Sequence, residues 1–124
     1  MRTIIAGGRE FSDSGLMLDS INELEWDISQ VVCGLARGAD LMGKTWAEGY
    51  DVSVAEYPAK WKELGRKAGP LRNIEMSENA DALLAFWDGE SKGTKHMIDQ
   101  ATKKGLKVKV IRYETKPQGL APLP

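Results

Sequence analysis

One cysteine, Cys33, and one histidine, His96, are all that the 124-residue chain carries of either kind. A single thiol excludes an internal disulfide, and one thiol with one imidazole excludes a Cys/His zinc site. Charge of one sign is also lacking: 17 Lys and Arg stand against 18 Asp and Glu, a formal net of −1. That balance argues against the strongly basic surface on which non-specific nucleic-acid binding rests. Long apolar runs are missing too. The longest, Ala82-Leu83-Leu84-Ala85-Phe86-Trp87, is six residues, against the ~20 of a membrane-spanning helix. Residue 1 leads directly into a strand-like segment, so the expectation is no signal peptide and a cytoplasmic location. There are no repeats and no low-complexity tracts. What remains, 42% apolar and 28% charged residues, suits one domain able to bury a sizeable core.

The pattern along the chain alternates between two periods. Arg2 to Ala6 barely alternates and reads as a strand buried on both faces. Met17, Ile21 and Leu24, after Ser12, Asp13 and Ser14, predict a capped amphipathic helix. Gln30 to Cys33 is a second strand, ending at Gly34, and Ala39, Met42 and Trp46 mark a second helix closed by Gly49. Asp51 to Glu56 reads as a third strand, and Pro70 opens a helix running to about Asn79. Ala82 to Trp87 is a fourth strand, and Thr94, Met97, Ile98 and Ala101 mark a helix ending near Gly105. Leu106, Val108 and Val110 alternate with Lys107 and Lys109 in a fifth, edge strand. Pro117, Gly119, Pro122 and Pro124 give 114–124 the character of a tail, leaving 1–113 as the domain. Strands alternating with helices predict a parallel five-stranded α/β sheet covered on both faces, with the Rossmann-like order 3-2-1-4-5. In that order the chain reverses between strands one and four, and a ligand crevice opens outside the strand carboxyl ends there.

Three turns leave those carboxyl ends, and all are rich in glycine: Gly7-Gly8-Arg9, Gly34 to Asp40, and Gly89 to Thr94. Glycine allows close backbone approach and positive φ, and a following helix N-terminus offers free N–H groups to an anion. Arg9, Arg37 and Arg72 are the natural bidentate partners for phosphate oxygens. Asp40 either caps the second helix or touches ligand. Trp61 and Trp87 either stack a base or pack in the core, and Cys33 reads as a core residue. The segment Tyr57 to Asn73 is expected to form a partly mobile wall, with Gly65 and Gly69 as hinges.

Gly38 to Thr45 matches the P-loop pattern G-x-x-x-x-G-K-[ST] letter for letter, and Asp88 after a hydrophobic strand resembles a Walker B aspartate. A P-loop needs its first glycine at the strand end, whereas strand two stops at Gly34 and the stripe Ala39, Met42, Trp46 places Lys44 inside a helix. Lys44 is therefore expected not to meet phosphate.

Gly7-Gly8-Arg9-Glu10-Phe11 with Asp13, then Gly34 to Asp40 as G-x-A-R-G-A-D, resemble the YspA-like branch of the SLOG superfamily. Tyr57-Pro58-Ala59, Trp61, Gly65, Ala68-Gly69-Pro70, Arg72-Asn73 and Met76 continue the likeness. So do Gly89, Ser91, Gly93 and Thr94, and the match runs from Arg2 to about Arg112. The resemblance implies a Rossmann-like fold related to the DNA-processing protein DprA and the LOG-type phosphoribohydrolases. It implies binding of a nucleotide-derived small molecule, such as NAD or an ADP-ribose relative. A role as sensor or sequestering module in bacterial or phage conflict, and a homodimer or larger assembly, follow from the same likeness. LOG-type enzymes carry a glutamate shortly after Gly-Thr. This chain has Gly93-Thr94 followed by Lys95, His96 and Met97, with the first acid at Asp99.

The expected ligand-binding set is Gly7, Gly8, Arg9, Gly34, Ala36, Arg37, Gly38, Asp40, Trp61, Arg72, Asn73, Gly89, Ser91, Gly93 and Thr94. No metal, required cofactor, membrane or nucleic-acid partner is expected. An N-glycosidic hydrolase or ribosyltransferase is the alternative, with Asp88, Glu90 or Asp99 as the carboxylate that would stabilise an oxocarbenium-like charge. A P-loop NTPase stands below it, and a DNA-associated adaptor below that.

Overall fold

The two strands without a polar face, β1 (Arg2–Gly7) and β4 (Ala82–Trp87), lie side by side at the centre of the sheet in a computed structural model describing residues 1–115. Their parallel register pairs Thr3 with Ala82 and Gly7 with Phe86. β2 (Gln30–Cys33) and β3 (Ser53–Glu56) extend the sheet on one side and β5 (Lys107–Arg112) on the other, giving the order β3-β2-β1-β4-β5 with all pairs parallel. Such central strands bury both faces because parallel crossovers lay helices over each.

Side-chain alternation separates two cores. Ile5, Val31, Cys33, Leu84 and Phe86 point to the face covered by α1 (Ser14–Asn22) and α2 (Ala39–Gly49), together with Met17, Ile21 and Ala47. Ile4, Val32, Leu83 and Ala85 point to the opposite face, where α4 (Ala68–Glu78) and α5 (Lys92–Lys103) contribute Met76, Met97 and Ala101. A short α3 (Trp61–Leu64) and a 3-10 turn, Gly65–Lys67, lead from β3 into α4. No helix among the described residues is long and apolar enough to cross a membrane.

Several boundaries differ from the sequence reading for local reasons. Gly49 is the last residue of α2, and Tyr50 caps it. Val52 N–H then bonds the Ala47 carbonyl at 2.8 Å while Asp51 takes φ 56°, so β3 starts at Ser53 and not at Asp51. Leu24 falls beyond α1, yet it still packs against the first core. Pro70 is the third residue of α4, in the first turn where its missing N–H costs nothing. Of the expected tail, 116–124 lies outside the described residues.

Gly43 explains how closely α2 approaches the sheet. A Cβ there would sit 2.7 Å from Ile5 Cγ2, inside van der Waals contact. Gly43→Ala is therefore expected to lower the unfolding free energy by about 1–3 kcal/mol, the usual cost of overpacking. Gly49→Ala, whose Cβ meets nothing within 4 Å, is expected to raise it by about 0.4–1 kcal/mol. Urea unfolding of the two variants checks both signs, and equal midpoints would remove the close helix–sheet contact from the account.

Candidate functional site

A cleft of about 600 Å³ opens at the carboxyl ends of β1 and β4. Its floor is the turn Gly7-Gly8. Gly8 N–H bonds the Phe86 carbonyl at 3.2 Å, and the Gly8 carbonyl accepts from Phe11 and Ala39 N–H at 3.2 and 3.3 Å. A Cβ on Gly7 would lie 2.5 Å from the Phe86 carbonyl oxygen, so only glycine lets the three segments meet. Gly38, at φ 83°, performs the same service from the other side, because a Cβ there would run into the carbonyl oxygens of Gly8 and Arg9.

Facing this turn is the N-terminus of α5. Ser91 is its N-cap, and its Oγ accepts from Thr94 N–H. Asp88 holds the approach to it: one carboxylate oxygen accepts from Glu90 N–H at 2.9 Å and from Ser91 N–H at 2.8 Å. Those bonds hold the Asp88 pKa below the ordinary carboxylate value, so it is ionised at neutral pH. The N–H groups of Lys92 and Gly93 have no acceptor within the helix, and both residues line the cleft with Ser91 and Thr94.

The third wall comes from α2, α3 and α4. Asp40, in the first turn of α2, is only 4% exposed. Burial raises its pKa to about 6 against the opposing charge of Arg72 and backbone bonds at Ala36 and Gly7. It does not cap the helix through its side chain, since the N-cap is Gly38. The half-buried Arg72 donates through Nη1 to the carbonyls of Gly34 and Tyr57 and through Nε to Asn73 Oδ1. Asn73 Nδ2 in turn reaches the Gly93 carbonyl at 3.3 Å and His96 Nδ1 at 3.1 Å, which ties α4 to α5 across the cleft. Trp61 is 49% exposed, with its ring edge against Gly69. Gly69 is thus a buried packing position in α4 and not a hinge, while Gly65 does take a positive φ of 57°.

Gly7, Gly8, Arg9, Ala36, Asp40, Trp61, Arg72, Asn73, Ser91, Gly93 and Thr94 therefore share one cleft, and Asp88 joins them. The other expected residues lie elsewhere. Gly34 and Arg37 line a smaller adjoining lobe, and Gly38 lines a groove between α1 and α2. Gly89, at φ 88°, faces the Arg112 guanidinium and shapes the turn. Glu90 is exposed outside the cleft, and Asp99 pairs with Lys95 at 2.9 Å on the surface of α5. Lys44 sits in the second turn of α2 with its ammonium 2.7 Å from Glu56, and it lines neither the cleft nor the adjoining lobe. Cys33 is buried, and desolvation pushes its thiol up to about 11. Sequence reasoning missed Tyr113, which lines the cleft with its hydroxyl against Gly8. The signal was its position at the carboxyl end of β5, obscured because that strand reads as a solvent edge.

Residues 1–64 match the model of the YspA, cpYpsA-related SLOG family. The chain is 40% identical over 125 residues to the gene 61 protein of Mycobacterium phage D29, covering 94% of this chain and 98% of that protein. Among solved structures it is similar to DNA processing protein A (DprA) from Streptococcus pneumoniae, with a TM-score of 0.74 and 16% identity over 91% of this chain. The chain spans 50% of that protein, and at this identity the likeness is one of fold.

Asp40 gives the cleft a pH signature. The folded protein retains its proton up to about pH 6, whereas an unfolded aspartate releases it near ~3.9. Its contribution to stability is full below the unfolded value and is lost as pH rises through the folded one, a change of about 3 kcal/mol. Asp40→Asn is expected to remove that slope, so that between about pH 4 and about pH 7 the wild type loses stability relative to the variant. Urea midpoints across the window measure it, and parallel profiles would mean that Asp40 titrates as an ordinary carboxylate.

Proposed function

The chain belongs to the YspA, cpYpsA-related SLOG family, and from that premise we propose that its cleft binds a nucleotide-derived small molecule, of the NAD or ADP-ribose kind, without cleaving it. The observation that carries this reading is the Gly7-Gly8 turn set opposite the open N-terminus of α5 across a cleft of about 600 Å³. Free N–H groups and the helix dipole favour a phosphate at Lys92 and Gly93. The half-exposed Trp61 offers a face for a base, and Asp40 and Asn73 offer groups for ribose hydroxyls. The volume lies within the range of small-molecule sites. A protein that holds such a ligand unchanged acts as a sensor or a sequestering module.

Binding without turnover is favoured by where the acids lie. An N-glycosidic bond breaks through a positively charged sugar that a carboxylate must face. Glu90 and Asp99 stand outside the cleft, and Asp88 spends one oxygen on the turn before α5. Asp88 is nevertheless ionised and lines the cleft, which makes glycosidic cleavage the second reading. A DNA-processing role, as the name of the pneumococcal protein carries it, draws no support from a net charge of −1.

Calorimetric titration with NAD, ADP-ribose, AMP and deoxynucleosides, followed by chromatography for free base, tests the reading. Saturable binding of a nucleotide without base release is expected. Gly93→Asp places a carboxylate at the α5 N-terminus, where a Cβ meets nothing within 4 Å. It should weaken binding by about 10-fold or more, as the loss of one charge-assisted hydrogen bond would. Lys44→Ala should leave affinity unchanged. No saturable binding across the panel would end this reading. Base release on the order of one per second, abolished by Asp88→Asn, would make the protein an enzyme instead.

A further inference from the structure

Beside the cleft, toward the carboxyl ends of β2 and β3, lies a second lobe of about 300 Å³. The two lobes share Arg9, Ala36, Trp61 and Arg72. Their charge differs sharply. Three guanidinium groups, Arg9, Arg37 and Arg72, line the smaller lobe and no carboxylate does, whereas in the larger one Glu10, Asp40 and Asp88 stand beside Arg9, Arg72 and Lys92. Among the described residues neither Arg9 nor Arg72 has a carboxylate within 4.0 Å. Arg72 is held in place by two backbone carbonyls and one side-chain amide, and the buried Asp40 offsets part of its charge without forming an ion pair. Arg37 pairs with Glu10 at 2.6 Å, but both side chains are mostly exposed, and so screened a pair yields readily to a ligand anion. Leu35, which lines the lobe between the Arg72-bound Gly34 and Ala36, takes the left-handed φ of 65°. A leucine adopts that conformation only where its surroundings impose it, and such strain gathers at ligand clamps.

Taken together with the nucleotide reading above, on which this inference rests, the geometry points to a second anion subsite. We propose that the ligand carries two anionic groups set apart along its length. One lies at the α5 N-terminus, and the other is a phosphate held among Arg9, Arg37 and Arg72, with the Trp61 indole between them. Guanidinium groups converging from three segments suit the several oxygens of a terminal phosphate better than the single negative charge of a bridging phosphodiester. A nucleoside monophosphate would fill only one of the two positions. A nucleoside bisphosphate, or a dinucleotide bearing an additional phosphate on a ribose, would fill both.

Two probe pairs that differ by one phosphate test this directly: AMP against adenosine 3′,5′-bisphosphate, and NAD against NADP. Calorimetry on the full chain is expected to show the extra phosphate raising affinity by about 10-fold or more in at least one pair, as an added charge-assisted contact does. In Arg37→Ala that gain should shrink to less than about twofold, and raising the salt concentration should erode it more than it erodes binding of the parent compound. Equal affinity within both pairs would overturn the second subsite while leaving the proposed function standing. An undiminished gain in Arg37→Ala would also overturn it, because the extra phosphate would then lie outside the arginine lobe. Binding of none of the four probes would overturn the second subsite, and only if ADP-ribose and the deoxynucleosides also failed to bind would the proposed function fall with it.

Discussion

Everything at the cleft depends on how closely three backbone segments approach one another at the carboxyl ends of β1 and β4. The Gly8 carbonyl takes two N–H groups, from Phe11 and from Ala39, while Gly8 N–H reaches Phe86. These bonds bring the turn after β1, the start of α2 and the end of β4 to a common point. No side chain fits between them: Gly7 is closed in by Phe86 and Ala39, and Gly38 by the backbone of Gly8 and Arg9. Close approach of this kind leaves the remaining N–H groups and the α5 N-terminus directed at open space. The cleft is thus a consequence of backbone packing, and its side chains are arranged around a backbone feature already in place.

The strand order and the location of the cleft were legible because both follow from strong signals. Unbroken apolar strands must be central in a parallel sheet, and glycine at a strand carboxyl end marks close approach. What stayed hidden was which glycine faces inward. Gly89 and Gly93 are only four residues apart, yet Gly89, in the turn before α5, is needed for its φ of 88° beside Arg112, while Gly93, in the first turn of α5, opens on the cleft. Sequence spacing cannot separate a glycine required by turn geometry from one required by a ligand. Arg72 shows the same limit among charged residues. Its guanidinium read as a phosphate partner, and nothing in the spacing disclosed that it also bonds the carbonyls of Gly34 and Tyr57. Such long-range partners are set by how α4 docks on the sheet. The pattern of α4 itself does not carry that information.

The letters of the P-loop motif between Gly38 and Thr45 arise from causes unrelated to phosphate. Gly38 is there for its positive φ, Gly43 for its contact with Ile5, and Lys44 for its pair with Glu56. Thr45 donates to the Leu41 carbonyl one turn back. Each position answers a local packing or hydrogen-bonding demand, and together they spell a nucleotide signature by coincidence. The contrast with Gly7-Gly8 is instructive, because there the glycines do stand at a strand end, where a P-loop's first glycine would have to be.

A chain with almost no net charge can still present a strongly directional field. Its charges are distributed unevenly: Arg9, Arg37 and Arg72 line the smaller lobe with no carboxylate, while Glu10, Asp40 and Asp88 line the larger one beside Arg9, Arg72 and Lys92. Burial keeps Asp40 protonated below about pH 6, which spares the cleft an additional negative charge in mildly acidic conditions. Asp88 is pinned by two backbone N–H groups, and the turn that presents the α5 N-terminus relies on that carboxylate remaining ionised. A group committed to shaping the turn before a helix N-terminus is poorly placed to serve also as the charge facing a departing base. The same hydrogen bonds that present the open α5 N-terminus to the cleft thereby count against chemistry on the proposed ligand.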